Sequence, residues 1–315
     1  MVTYYSEVTP KDVEWLWYPY IPFGKITLLQ GDPGEGKSTF AIQVASVITK
    51  GGVFPDGYEM SHPENVIYQC AEDGAEDTIK PRLLKAGADC DRIAFIPEDE
   101  DRLVIGDQRL EEAIAASKAR CLILDPIQSY VAQDSDMHSA QKMRKTLSKL
   151  AEIAEKYGCA IILIGHMTKA SGAKQLYRGL GSIDIAAIAR SVLMVARDTE
   201  QTEVRYMFPV KSSLSPEGDA IGFLLDRNTG FHWLGRCTIN KEELTSNDGE
   251  VIGKKERAKE LLKIILSAGS VPSSEVYSKL GELGIGERTA RSAVKEMKIK
   301  AERKGQVWYM KLKEK

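Results

Sequence analysis

No run of about 18 apolar residues occurs anywhere in the 315-residue chain, so nothing in it is expected to span a membrane as a helix. The start, Met1-Val2-Thr3-Tyr4-Tyr5, has neither the basic segment nor the apolar segment of a secretory signal. A cytoplasmic location is the expectation. Cysteine is sparse and no two form a CxxC pair. Cys70, Cys90, Cys121, Cys159 and Cys237 are therefore expected as free thiols rather than metal ligands or disulfides. Internal repeats and low-complexity stretches are also missing.

The net charge of −2 conceals an uneven distribution. Residues 251–315 hold 16 Lys and Arg against 8 Asp and Glu, an excess of eight positive charges, so the remainder carries ten negative ones. A basic appendage on an acidic body is the electrostatic mark of a nucleic-acid-binding module, with a solvated lysine-rich tail as the alternative.

From Lys25 to about Ala196, apolar strand-like runs alternate with helical patterns. Ile26–Leu29, Val66–Cys70, Arg92–Ile96, Cys121–Leu124 and Ala160–Ile164 read as strands. Helices are expected over Lys37–Thr49, Glu76–Ala86, Gln108–Ser117 and Ser139–Tyr157. This order predicts an α/β fold, a mainly parallel twisted sheet with helices on both faces. Strands that are apolar almost throughout fit a sheet buried on both sides. Ser191–Val195, Val204–Val210 and Ile221–Leu225 then read as antiparallel additions, with Asn228-Thr229-Gly230 as a turn. The expected organisation is a first domain over 1–237, a polar linker over 238–253 and a second domain over 254–315. In the last, helices over Arg257–Leu266, Ser273–Leu283 and Glu287–Met297 precede a hairpin ending in Val307–Met310, the order of a winged helix-turn-helix.

Gly31-Asp32-Pro33-Gly34-Glu35-Gly36-Lys37-Ser38 completes the pattern G-x-x-x-x-G-K-[ST], directly after a strand and opening a helix. Main-chain N–H groups of such a loop and of the helix start cradle phosphate oxygens. ATP is expected on Gly31, Asp32, Pro33, Gly34, Glu35, Gly36, Lys37, Ser38 and Thr39. Lys37 reaches the β- and γ-phosphates and Ser38 binds Mg²⁺. The apolar strand Cys121-Leu122-Ile123-Leu124 ends in Asp125, the expected second holder of Mg²⁺. Pro126 follows it, so the adjacent Asp-Glu pair of other ATPases is missing. The group that orients water is sought elsewhere, and Glu72, just beyond the strand Val66–Cys70, is the candidate. Asp73 is the expected helix N-cap. Asn240-Lys241-Glu242-Glu243 is not a guanine signature, and no arginine-rich lid of a small-molecule kinase is evident.

These residues, with Ile164-Gly165-His166-Met167-Thr168-Lys169, resemble the RecA/DnaB-like P-loop ATPases over residues 12–236, and most of all the RepA-type hexameric helicase-like proteins of plasmids and phages. The resemblance implies a RecA-like core and ATP hydrolysis at the subunit interfaces of a homo-oligomeric ring, a hexamer with single-stranded DNA in its channel. It makes Glu72 the catalytic glutamate and His166 a γ-phosphate sensor, a strand-end histidine with a local hydrogen bond being the alternative. Lys211 becomes the lysine that reaches a neighbour's ATP, and the segment Arg178–Asp184 the DNA-facing loop. Where such helicases carry Lys-x-Arg this chain has Lys211-Ser212-Ser213, so the arginine finger is absent from its place. Arg178, Arg190 or Arg205 is the candidate substitute, and the sequence does not choose among them. The C-terminal part resembles winged helices. Arg288, Arg291 and Lys295 are expected on a recognition helix that reads duplex DNA, and Lys304 on the wing at a phosphate. Trp308 is expected in the core of that unit, with a base-stacking platform as the alternative, and Trp15–Tyr20 either covers adenine, packs on a neighbour or seals the core. An ATP-gated DNA-binding regulator or loader is the competing function.

Overall fold

The structure, a computed structural model, describes residues 2–98, 101–131, 140–166, 182–198, 201–226 and 228–239. Beyond these it describes 244, 258–259, 261–266, 269–282, 285–297, 299–304 and 307–312. The chain divides into two compact units, Met1–Ile239 and Asn240–Lys315.

The first unit is built on a nine-stranded sheet. A parallel set comprises β3 (Ile26–Gly31), β4 (Val66–Cys70), β5 (Ile93–Ala94), β6 (Cys121–Asp125), β7 (Ala160–His166) and β8 (Ser191–Arg197). Antiparallel strands β9 (Val204–Ser212), β10 (Ala220–Asp226) and β11 (Gly230–Cys237) extend it. The order is β11-β10-β9-β8-β3-β7-β6-β4-β5. A short hairpin, β1 (Trp15–Trp17) and β2 (Ile21–Pro22), stands apart from the sheet.

The central strands are apolar on both faces because both faces are covered. α1 (Lys37–Lys50) and α2 (Lys80–Lys85) pack on one side with Phe40, Val44, Ile48 and Leu83. α3 (Gln108–Ser117), α4 (Ala140–Tyr157) and α5 (Ser182–Ile188) pack on the other with Leu110, Leu147, Leu150 and Ile185. Each parallel strand of Val, Ile and Leu thus loses water on two sides, which is what holds such sheets together. The α/β expectation, a mainly parallel sheet with helices on both faces, is met. Among the described residues no helix is long and apolar enough to cross a membrane.

Three local expectations need correction. The strand expected over Arg92–Ile96 shrinks to Ile93–Ala94. Asp89 caps a 3-10 turn over Cys90–Arg92, and the Gln69 side chain takes both backbone groups of Ile96, at 2.9 and 3.1 Å, in place of a ladder partner. Asp73 does not cap a helix; it pairs with Arg82 Nη1 at 2.6 Å. Ser191–Val195, expected to be antiparallel, forms β8 and runs parallel to β3, and β11, after the Asn228–Gly230 turn, is a third antiparallel strand that was not foreseen. Its buried and exposed positions alternate, so its apolar residues are too dispersed to stand out as a run.

Within the aromatic segment Leu16, Trp17 and Tyr20 are core, while Trp15 is half-buried and Tyr18 is exposed. Trp17 is fully buried, stacks on Phe54 with ring centroids 4.4 Å apart, and donates from Nε1 to Asp56 at 3.0 Å. It is no adenine cover.

The second unit has its own apolar centre, including Leu262, Leu266, Val276, Leu280, Ala293 and Met310. Helical residues 261–266 precede β12 (Val271–Pro272), α6 (Ser273–Glu282), α7 (Glu287–Glu296) and the hairpin β13 (Lys300–Lys304) and β14 (Val307–Lys311). β12 was not foreseen; it pairs with β14 to give the order β12-β14-β13.

Trp17→Ala is expected to cost about 3–5 kcal/mol of stability, as large aromatic truncations in cores do. Chemical denaturation measures it. A loss below about 1 kcal/mol would show that the ring does not hold the core.

Candidate functional site

The phosphate loop runs from the end of β3, at the centre of the sheet, into α1. Gly34 and Gly36 have φ of 81° and 88°, left-handed values that let consecutive N–H groups turn inward. Gly36 is also constrained by space, since a Cβ there would collide with Leu225 Cδ1 of β10.

Lys37 is 3% exposed. Its Nζ donates to the carbonyls of Gly31 at 2.9 Å and Asp32 at 2.8 Å, closing the loop on itself. Burial disfavours the ammonium and brings its pKa down to about 8, against an upward pull from Asp125, Glu35, Asp32 and Glu72. The ammonium is thus held by carbonyl dipoles and by four carboxylates at longer range, a lining that a triphosphate can replace.

Asp125 ends β6 beside Cys70 of β4 and is 3% exposed. Tyr68 Oη donates to its Oδ2 at 2.8 Å and fixes the carboxylate. Burial and this carboxylate push the Tyr68 phenol far above its ordinary pKa. Sequence reading missed Tyr68; its signal was a hydroxyl inside an otherwise apolar strand two residues before Cys70.

Glu72 and His166 meet across the strand ends, with His166 Nε2 3.9 Å from Glu72 Oε1. The Glu72 side chain is 61% exposed and the His166 side chain 34%. Burial, then the charge of Lys37, lowers the His166 pKa below its usual value. The imidazole is therefore neutral at pH 7. Among the described residues, His166 Nδ1 and Gln128 Oε1 are buried without a hydrogen-bond partner. Unsatisfied polar atoms beside a phosphate loop suit a site that completes its bonds with ligand. The structure thus gathers Lys37, Asp125, Glu72 and His166 around one opening. Ser38 and Thr39 begin α1 beside it, half-buried.

A second group was half foreseen: Arg205 was named as a substitute finger, while Arg197 was missed. Arg197 ends β8 opposite Arg205 of β9. Arg197 Nη2 donates to Gly34 O at 3.2 Å and lies 3.6 Å from Glu35 Oε1. Arg205 is 7% exposed and donates to Thr202 O at 2.7 Å. Burial raises the pKa of Glu35, while both arginines pull it down. The outer wall of the loop is therefore pinned from the end of β8, with Arg205 of β9 alongside. The Glu35 N–H itself donates to Asp32 O at 3.4 Å, so this side of the loop is tied down both by Arg197 and by a turn within the loop. Only the cross-strand arginine pair signals this, and register is not visible in sequence.

Lys211 is not in this cluster. It lies on β9 opposite Val192, which pairs with Leu28, toward the strand starts and away from the loop. Its Nζ donates to Ala186 O and Ala189 O at 2.7 and 2.8 Å, capping the end of α5. Met167–Lys169 and Arg178 lie outside the described residues. In the second unit Arg288, Arg291 and Lys295 are exposed on α7, whose Ala290 and Ala293 face the core; Arg291 lies 6.0 Å from the Tyr277 ring. The Lys304 side chain lies outside the described residues.

A family model described as AAA domain matches residues 4–172. The DNA repair protein RadA of Streptococcus pyogenes serotype M3 is 28% identical over 148 residues, which are 46% of this chain and 28% of that protein. RadA of Chlamydia muridarum is 29% identical over 150 residues, 46% of this chain and 29% of the relative. The match thus takes in less than a third of these relatives' length. The crystal structure of a KaiC-like protein from the hyperthermophilic archaeon Pyrococcus horikoshii OT3 aligns with a TM-score of 0.50 and 23% identity, over 68% of this chain and 90% of that one. That likeness is one of fold: a RecA-like P-loop core.

Nucleotide binding should depend on pH through Lys37. Its ammonium is complete well below pH 8 and is lost as pH rises through about 8. Bound triphosphate stabilises the ammonium, so ATP affinity is expected to fall by up to tenfold per unit from pH 8 to 10. Titration calorimetry at pH 8, in buffers of different ionisation enthalpy, should show proton uptake on binding. Constant affinity from pH 7 to 10 would contradict the assignment.

Proposed function

Since the chain belongs to the AAA domain family, we propose that it is a Mg²⁺-dependent ATP hydrolase that works on DNA in the cytoplasm, as a RepA-type ring. The observation that carries the reading is the buried Lys37 ammonium in a loop turned by left-handed Gly34 and Gly36, next to a fixed Asp125 and an exposed Glu72.

The residues suit MgATP. The loop amides and Lys37 hold the β- and γ-phosphates. Ser38 and Asp125 hold the metal, and Tyr68 keeps the Asp125 carboxylate turned to it. Magnesium, when bound, neutralises phosphate charge and draws electron density from the γ-phosphoryl group. Glu72 orients the attacking water and accepts its proton, helped by its exposure to the opening. Neutral His166 donates to the γ-phosphate or hands its hydrogen bond to Glu72, so loss of the γ-phosphate changes the Glu72–His166 contact.

The substrate strand is proposed from two sources. The relatives' name, DNA repair protein, supports DNA as the partner, and so does the charge split between the two halves of the sequence. In a hexamer, single-stranded DNA runs along Arg178 and its neighbours in the channel, while Arg288, Arg291, Lys295 and Lys304 contact duplex DNA from a C-terminal winged helix, residues 254–315. Replication, recombination or repair of a mobile element is the setting.

A second reading rests on Lys211. Its ammonium is bonded to α5 in its own chain, and no arginine follows at position 213. Without a ready finger for the neighbour's ATP, nucleotide would gate assembly of a DNA-binding regulator or loader rather than drive unwinding. Strand displacement on forked DNA separates the motor from the regulator.

Glu72→Gln removes the proton acceptor and leaves the phosphate cradle intact. ATP affinity is expected within about threefold of wild type, and kcat lowered at least a hundredfold. Phosphate release and nucleotide binding are the measurements; near-normal turnover would take the role from Glu72.

A further inference from the structure

The C-terminal hairpin carries a feature that duplex readout from α7 does not use. Trp308 was expected in the core and is instead 52% exposed. The register explains why. β14 pairs with β13 as Ala301↔Met310, Arg303↔Trp308 and Lys304↔Val307. Side chains alternate across a strand, so Trp308 shares the face of Met310, which is 5% exposed and in the core. One step further toward the turn the core has ended, and the indole emerges on the same face, with exposed Arg303 directly opposite.

A half-exposed indole beside a guanidinium offers a flat apolar face to a ligand. Charge narrows the occupant. The carboxylate of β13, Glu302, pairs with Tyr309 and therefore lies on the opposite face. The chain beyond residue 250 has twice as many cationic as anionic residues. A flat ring beside a guanidinium, in a cationic unit, offers a stacking plane with an adjoining phosphate contact. Bases within a duplex are already stacked, so only an unpaired base or a strand end presents a free face.

We propose that Trp308 and Arg303 form a stacking platform for an unpaired nucleobase of single-stranded DNA, with Arg303 on the adjacent phosphate. The proposal rests on the reading that the C-terminal unit binds DNA. It gives that unit two faces of different preference: duplex at α7 and an unpaired base at the hairpin. A single strand beside a duplex would engage both.

The test uses the full chain and fluorescein-labelled DNA: a single strand, a blunt duplex, and the same single strand carrying abasic positions. Trp308→Ala should weaken single-strand binding about tenfold and leave duplex binding within twofold. Trp308→Phe should restore most of the loss, and the abasic strand should bind wild type as weakly as the intact strand binds Trp308→Ala. A strand carrying 5-iodouracil should photo-crosslink to the peptide that contains Trp308. This crosslink distinguishes the hairpin from any single-strand site in the ATPase unit. Unchanged circular dichroism excludes misfolding. Equal single-strand affinity of wild type and Trp308→Ala, or a crosslink that maps elsewhere, overturns the platform. The double variant Arg288→Ala with Lys295→Ala separates the two levels. If it weakens duplex binding while Trp308→Ala changes nothing, only the platform falls; if it too changes nothing, the reading of the unit as DNA-binding falls with it.

Discussion

A lysine ammonium sealed from water at the centre of a sheet is the constraint that organises this molecule. Lys37 is almost wholly buried, with the carbonyls of Gly31 and Asp32 as its hydrogen-bond acceptors. Desolvating a cation is costly unless dipoles or charges replace the water. Here they are replaced incompletely, as the depressed pKa shows. The site is thereby matched to a ligand that brings several negative charges and removes the deficit.

The rest of the first unit keeps that lysine in place. β3 sits at mid-sheet, with β7 and β8 as its neighbours, so the loop leaves a strand supported on both sides. β6 and β4 bring Asp125 and Tyr68 to one edge of the opening, and β7 brings His166. On the other edge β8 contributes Arg197, and the antiparallel strands β9 and β10 contribute Arg205 and Leu225, which press on Gly34, Glu35 and Gly36. Strands β4, β6 and β7 thus carry Tyr68, Asp125 and His166, and strands β8 to β10 stiffen the cradle. Glu35 joins the two, since its charge acts on Lys37 while its carboxylate faces the arginines.

Much of this was legible in sequence because the signals are local. The P-loop pattern names its own residues, and long apolar runs named the parallel strands. Strand-end acids named Asp125 and Glu72. What escaped was set by register or by side chains acting as backbone. The Arg197–Arg205 pair exists only once β8 and β9 are aligned. The shortening of β5 comes from Gln69 bonding Ile96, which no periodicity encodes. Trp308 looked like core because large aromatics usually are; its position one pair from the hairpin end decided otherwise. Lys211 shows the opposite limit. The resemblance made it the lysine that reaches a neighbour's ATP, whereas in its own chain it caps α5, a contact that depends on where β9 passes.

Titration of ATP with magnesium into the purified chain, beside Lys37→Ala, tests the central claim most directly. The account predicts a saturable site in the wild type and a loss of affinity of a hundredfold or more in the variant. A wild type without measurable nucleotide affinity, or a variant that binds as well, would contradict it.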